Sequence, residues 1–267
     1  MEQVAQARQK GLDVHFDMHT RRFGTTNLSS VLPPWALEGG KSAIAKRLKD
    51  PSIRKEMTTF PSVVASLAHG DWRKIVVHKS KIQPEISGQS IVAISEMRGT
   101  EPFDTVFDIL LAEIDDLHSL MILGSAYSPE DLDFILERPD RMVGSDAIAL
   151  ANDGPLRDES FHGAYSWAPW FLRYFVQEKK ALSLEKGVRR LTSLPAGRIG
   201  IKDRGVIRTG AWADLAIFDP ATFRENATTF EPNQLASGMK HVLVNGVVTL
   251  KNGERTRDHG GHALRAS

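Results

Sequence analysis

Apolar residues recur along this chain with two periods, near 3.6 and near 2, and that alternation predicts most of its elements. From Glu101 to Glu113, Phe103, Val106, Phe107, Leu110 and Leu111 fall at i, i+3, i+4, i+7 and i+8. The spacing predicts an amphipathic helix packed on a core, with Pro102 in the first turn, where proline is tolerated. Residues 2–10 predict a helix stopped by Gly11. Others are predicted at Lys41–Lys49, after Asp50-Pro51, over Ser90–Arg98 up to Gly99, after Ser128-Pro129, over Ser183–Leu191, and from Pro195 to Gly200. Strands are predicted at Leu12–Met18, Lys74–Val77, Ser119–Leu123 and Met142–Asp146. Strands alternating with helices imply a parallel sheet with crossover connections. Residues 21–27 are polar and contain Gly24, so they read as a loop.

Tyr165–Lys179 carries Tyr165, Trp167, Trp170, Phe171, Tyr174 and Phe175 and predicts a further helix. Its aromatics either line a pocket or pack the helix on the core, and packing is the commoner use. From Gly205 the pattern changes. Ala213–Phe218 reads as a strand closed by Asp219-Pro220. The runs Val242–Val244 and Val247–Leu250 flank Asn245-Gly246, a strong hairpin signal, and Asn252-Gly253 follows at once. The predicted organisation is an α/β body over residues 1–204 and a small β module over residues 205–267.

Composition adds little to that picture. The chain has 267 residues, 41% hydrophobic and 25% charged, with a formal net charge of +1. This is a globular profile, and without a basic block it points away from nucleic acid or a membrane surface as a partner. No run approaches the roughly 20 apolar residues that span a bilayer. The first twenty residues carry charges throughout and do not read as a signal peptide. The absence of cysteine excludes disulfides and thiolate metal sites and suits a cytoplasmic protein.

Two stretches carry candidate chemistry. In Arg141-Met142-Val143-Gly144-Ser145-Asp146-Ala147, a carboxylate follows where a buried strand runs out. In barrels of parallel strands the C-terminal strand ends collect catalytic groups, and an Asp there can hold a divalent metal and take a proton from bound water. Asp also commonly caps turns and helices. On the strand predicted at Leu12–Met18, His15, Asp17 and His19 alternate on one face. That set can gather a metal, although polar residues alternate in this way on metal-free strands too.

The chain resembles the N-acyl-D-amino-acid deacylase (D-aminoacylase) branch of the amidohydrolase superfamily. The residues that carry the resemblance are Leu32-Pro33-Pro34-Trp35-Ala36-Leu37-Glu38-Gly39-Gly40, Val143-Gly144-Ser145-Asp146, Leu182-Ser183-Leu184-Glu185 and Leu191-Thr192-Ser193-Leu194-Pro195-Ala196. Further on come Lys202-Asp203-Arg204-Gly205, the run from Gly210 to Pro220, and Val242-Leu243-Val244-Asn245-Gly246. The resemblance implies a metal-dependent (β/α)₈ barrel with a β-sandwich built from both chain ends. It implies hydrolysis of an N-acyl-amino acid or related amide by water activated on zinc or another divalent metal. Asp146 is then the metal ligand and catalytic carboxylate ending the last barrel strand, and the strand through His19 is its predecessor. The loop after that strand, with His19, Arg21 and Thr25, then helps form the acyl-substrate pocket. His162 is a further candidate substrate contact; read by itself, it is a solvated loop histidine.

The same resemblance implies ligands that this sequence lacks. The family's first strand carries a His-x-His pair, whereas none of the nine histidines here is so spaced. A barrel of this kind takes roughly 250 residues, more than remain beside the β module. The expectation is therefore the C-terminal part of such an enzyme, inactive alone, whose partner is a missing N-terminal half or another copy. The alternative is a non-catalytic half-domain. Relatives commonly have Tyr-Pro-Tyr where this chain reads Met18-His19-Thr20-Arg21. They often have His-Pro-Arg where it reads His162-Gly163-Ala164, which moves the substrate-carboxylate role to Arg21 or Arg22.

Overall fold

The computed structural model describes residues 2–67, 70–138, 140–147, 150 and 163–265. In chain order the helices are α1 (Glu2–Gln9), α2 (Gly40–Lys49), α3 (Pro51–Met57), α4 (Val63–Leu67), α5 (Ile91–Arg98), α6 (Pro102–Ala112), α7 (Pro129–Leu136), α8 (Trp167–Leu172), α9 (Leu184–Leu191) and α10 (Ser193–Arg198). The strands are β1 (Asp17–His19), β2 (Phe23–Asn27), β3 (Ile75–Lys79), β4 (Met121–Ser125), β5 (Met142–Gly144), β6 (Leu215–Phe218), β7 (Met239–Val244), β8 (Val247–Lys251) and β9 (Glu254–Arg255). Among the described residues, no helix is long and apolar enough to cross a membrane. The chain divides into two compact units, residues 22–128 and residues 1–21 with 129–267.

The unit of residues 22–128 is built on a three-stranded sheet in the order β2-β4-β3. Here the predicted parallel sheet is corrected, because β4 runs antiparallel to both neighbours. Two helices, α5 and α6, lie between β3 and β4. One crossover helix returns the chain for a parallel strand; a second helix adds one more reversal and delivers β4 antiparallel. Residues 23–27 are also corrected, from loop to strand. Their polar, glycine-bearing composition hides the pairing of Phe23 with Ser125 and of Asn27 with Met121, nearly a hundred positions away.

Local signals set the helix ends in this unit. Asp50 Oδ1 accepts hydrogen bonds from the Ser52 and Ile53 amides (2.9 and 3.3 Å), and Pro51 occupies the first helical position of α3. Ser90 Oγ accepts from the Ala93 amide at 3.2 Å, and α5 ends on Gly99 with φ 65°. Helix α6 buries Val106, Phe107 and Leu110 as its stripe predicts, and Thr105 and Ile109 as well. Phe103 and Leu111 lie partly buried against the same core, which includes Leu28, Leu48, Ile75, Ile94 and Ile122.

The other unit contains the two features that bear on function. Strands β1 and β5 pair in parallel, Asp17 with Met142, Met18 with Val143 and His19 with Gly144. The strand predicted over Leu12–Met18 is thus shorter and later, and His15 falls outside it, its Nε2 3.0 Å from Asp13 Oδ1. The predicted alternation of His15 with Asp17 and His19 on one strand face is lost. Behind the strands lies a core of Leu132, Leu136, Val143, Phe171, Leu172 and Phe175. The aromatics of Tyr165–Lys179 take the packing role: Phe171 and Phe175 are buried, and Trp170 stacks on Tyr174 at 4.9 Å between ring centroids. The segment is not one α-helix, however; α8 gives way to a wider π-helical stretch over Arg173–Glu178. Its Lys179 amide reaches the Tyr174 carbonyl at 2.8 Å. Burying the neighbouring rings Tyr174 and Phe175 on one core favours the wider turn, a preference the aromatic spacing does not encode.

The β module is a four-stranded antiparallel sheet in the order β6-β7-β8-β9. The Asn245-Gly246 turn joins β7 to β8 with φ 51° and 81°, as its sequence demands. Asp214 Oδ1 accepts from the Asn245 amide at 2.8 Å, and Arg204 Nη2 donates to Asn245 Oδ1 at 2.6 Å. Arg204 also pairs with Asp214. The Lys202–Gly205 and Gly210–Pro220 stretches therefore brace the hairpin turn. A Cβ at residue 246 meets no atom within 4 Å, so a side chain there is opposed by backbone conformation alone. Gly246→Val is expected to destabilise the protein by about 1–2 kcal/mol, read as a lower midpoint in thermal unfolding. An unchanged midpoint would remove the hairpin from the account of stability.

Candidate active site

Parallel pairing brings the C-terminal ends of β1 and β5 side by side, because His19 lies opposite Gly144. The residues that follow each strand therefore meet at one sheet end, where groups from separate segments converge in parallel α/β proteins. A Cβ at residue 144 would lie 3.0 Å from Asp17 Oδ2, so the glycine admits the Asp17 side chain alongside it. Past the end of β5, Asp146 takes φ 46°. Asp is one of the few non-glycine residues that adopts this left-handed conformation readily.

Arg21 crosses from the end of β1 to the end of β5. Its Nη2 donates to the Ser145 carbonyl (3.1 Å), the Asp146 carbonyl (2.9 Å) and Asp146 Oδ2 (3.4 Å). The Arg21 side chain is 6% exposed, whereas that of Asp146 is 59% exposed. The carboxylate thus meets solvent on one side and a buried guanidinium on the other. Burial lowers the Arg21 pKa and Asp146 opposes the shift. The Arg21 amide donates to His19 Nδ1 at 3.1 Å, which leaves the proton of the neutral imidazole on Nε2. Burial first and the Arg21 charge second hold the His19 pKa below its ordinary value, with Asp146 and Asp17 pulling the other way. The neutral ring is the favoured form at pH 7.

Chemically, the arrangement offers a solvent-facing carboxylate able to accept a proton and a neutral imidazole beside it. Among the described residues no three His, Cys, Asp or Glu groups converge. Asp146 faces a guanidinium where a cation would otherwise supply the counter-charge, and His19 Nδ1 already accepts a hydrogen bond. The structure therefore brings together Asp146, His19 and Arg21. Thr25 lies on β2, in the other compact unit, opposite Leu123. His162 lies outside the described residues. The sequence reading missed Gly163, which lies under the Arg21 guanidinium: a Cβ there would sit 1.5 Å from Arg21 Nη1. No local pattern signals a contact between residues so far apart in the chain.

The parallel pair β1-β5 with helices around it is an α/β arrangement, and comparison with known proteins gives the family. Residues 48–250 match the amidohydrolase family model. The chain belongs to the amidohydrolase family, in its D-aminoacylase-like branch. It is 29% identical over 184 residues to D-aminoacylase from Alcaligenes xylosoxydans xylosoxydans, covering 68% of this chain and 34% of the relative. It is 32% identical over 166 residues to the N-acyl-D-glutamate deacylase of the same organism, covering 61% and 30%. The crystal structure of N-acyl-D-glutamate deacylase from Bordetella bronchiseptica, complexed with zinc and a phosphonate inhibitor, shares the fold. Its TM-score is 0.64 at 24% identity, over 95% of this chain and 44% of that one. The chain spans about a third of the length of these curated relatives.

Proposed function

We propose that Asp146 is the proton-accepting carboxylate of a metal-dependent amidohydrolase site that cleaves the C–N bond of an N-acyl-amino acid. The observation that carries this reading is its position, exposed at the end of β5 beside β1, in a chain of this family. In the proposed reaction Asp146 takes the proton of the attacking water and passes it to the leaving amine. Neutral His19 supports it by donating through Nε2, and Arg21 holds the strand end in place. In this reading the parallel strands β1 and β5 belong to the family's (β/α)₈ barrel, residues 22–128 are a segment inserted in the chain between them, and residues 205–267 belong to its β-sandwich. The activities for which the relatives are named, D-aminoacylase and N-acyl-D-glutamate deacylase, make an N-acyl-amino acid the substrate class.

A second reading, a half-domain inactive alone, is favoured by one observation: the Asp146 carboxylate faces the Arg21 guanidinium in place of a metal cation. A catalytic zinc usually has three protein ligands plus an open position. The purified chain is therefore expected to bind zinc weakly in isothermal titration and to release no amine from N-acetyl-D- or N-acetyl-L-amino acids. Combined with a polypeptide that carries a metal-binding barrel half, it is expected to give Asp146-dependent release. Nanomolar zinc binding with metal-dependent turnover by the chain alone would overturn the half-domain reading. Failure of every combination to release amine would sink the deacylase reading.

A further inference from the structure

We propose that Arg21 and Gly163 are a matched pair whose task is to position Asp146. The guanidinium occupies the space a side chain at residue 163 would take: an added Cβ would lie 1.5 Å from Nη1, 2.7 Å from Cζ and 3.3 Å from Cδ. Gly163 also has φ 87°, a conformation that costs any other residue. From that seat Nη2 reaches both the Ser145 and Asp146 carbonyls and the Asp146 carboxylate. Two of those three bonds go to backbone, and they brace the strand end at which Asp146 is held left-handed beside the proposed chemistry. The Arg21 amide, anchored on His19 Nδ1, fixes the root of the side chain.

Three properties make this a positioning device and not a surface ion pair. The guanidinium is nearly fully buried while its carboxylate partner is exposed. All three bonds leave one nitrogen whose N–H groups are fixed in the guanidinium plane, whereas those of a lysine ammonium rotate freely. The seat exists only because residue 163 has no side chain. Gly163→Ala should therefore act at Asp146 by displacing Arg21, although residue 163 makes no contact of its own with Asp146 in this scheme. The geometric part stands apart from the reaction; its consequence for catalysis rests on the deacylase reading.

Hydrogen exchange of the full chain, followed by mass spectrometry, tests the pair without requiring turnover. Arg21→Met is expected to speed exchange in the segment 143–147 by roughly tenfold or more and to leave the β7–β8 hairpin unchanged. Gly163→Ala should reproduce that local pattern, and the double variant should exchange there no faster than Arg21→Met alone. If Arg21→Met does not fold, Arg21→Lys replaces it, since it keeps the charge and loses the fixed donor plane. No change at 143–147 in Gly163→Ala, or an additive double variant, overturns the pairing and leaves the deacylase reading untouched. Where turnover is present, Arg21→Lys is expected to lower kcat with KM within about twofold. A raised KM at constant kcat would instead make Arg21 a substrate-binding group and end the positioning role.

Discussion

Asp146→Asn is expected to lower deacylation by roughly 10²-fold or more in any preparation with turnover, about 2.7 kcal/mol of transition-state stabilisation. The substitution isolates chemistry from structure. Asparagine matches the shape of aspartate and tolerates the left-handed φ of 46° at this position. Its amide oxygen can still accept from Arg21 Nη2, and the two backbone carbonyl bonds from Arg21 do not involve the side chain. What is lost is the basic oxygen that takes a proton from water. Asp146→Ala should lose the same activity and some stability as well, because alanine adopts this conformation less readily. Steady-state amine release from N-acetyl-D-amino acids, with thermal unfolding as the control, separates the two effects. Near-normal turnover in Asp146→Asn would remove Asp146 from the mechanism.

The largest expected effect on stability lies behind the site. Arg190 on α9 is buried, and its guanidinium donates to the carbonyls of Leu136, which ends α7, and of Glu137 (3.0 Å) and Arg138, which follow it. The last carbonyls of a helix have no partner within it, and a cation there also offsets their negative dipole end. Arg190→Met keeps much of the apolar volume and removes this donor from all three carbonyls, of which Arg138 keeps the Arg141 amide at 3.3 Å. Hydrogen bonds to charged groups contribute about 1.5–3 kcal/mol each and are not additive, so a loss of about 3 kcal/mol or more is expected. A clear fall in the thermal midpoint checks it; a shift of a degree or less would mean that water caps the helix equally well. Because β5 follows α7 directly, this cap also steadies the strand that presents Asp146.

The sequence alone determined the local elements. Asp50-Pro51, Ser90 with Gly99, and Asn245-Gly246 act on their own neighbours within a few residues, and each produced the cap or turn its chemistry requires. The stripe on α6 and the strand starting at Met142 were legible for the same reason, although that strand ends at Gly144 and not at Asp146 as expected; so was the family, whose motifs are contiguous runs. Tertiary structure decided what depends on partners distant in the chain. The antiparallel sense of β4 depends on a pair of intervening helices, and β2 becomes a strand only through β4. The aromatic spacing over residues 165–179 could not announce a π-helical stretch chosen by the core beneath it. At the site, Asp146 was legible as a carboxylate at a strand end. Its bracing was not, because the guanidinium that holds it comes from residue 21 and the space for that group from the missing side chain of Gly163. Periodicity and capping are short-range and can be read along a chain, whereas the seat of a buried charge is a three-dimensional volume that exists only once the strands have paired.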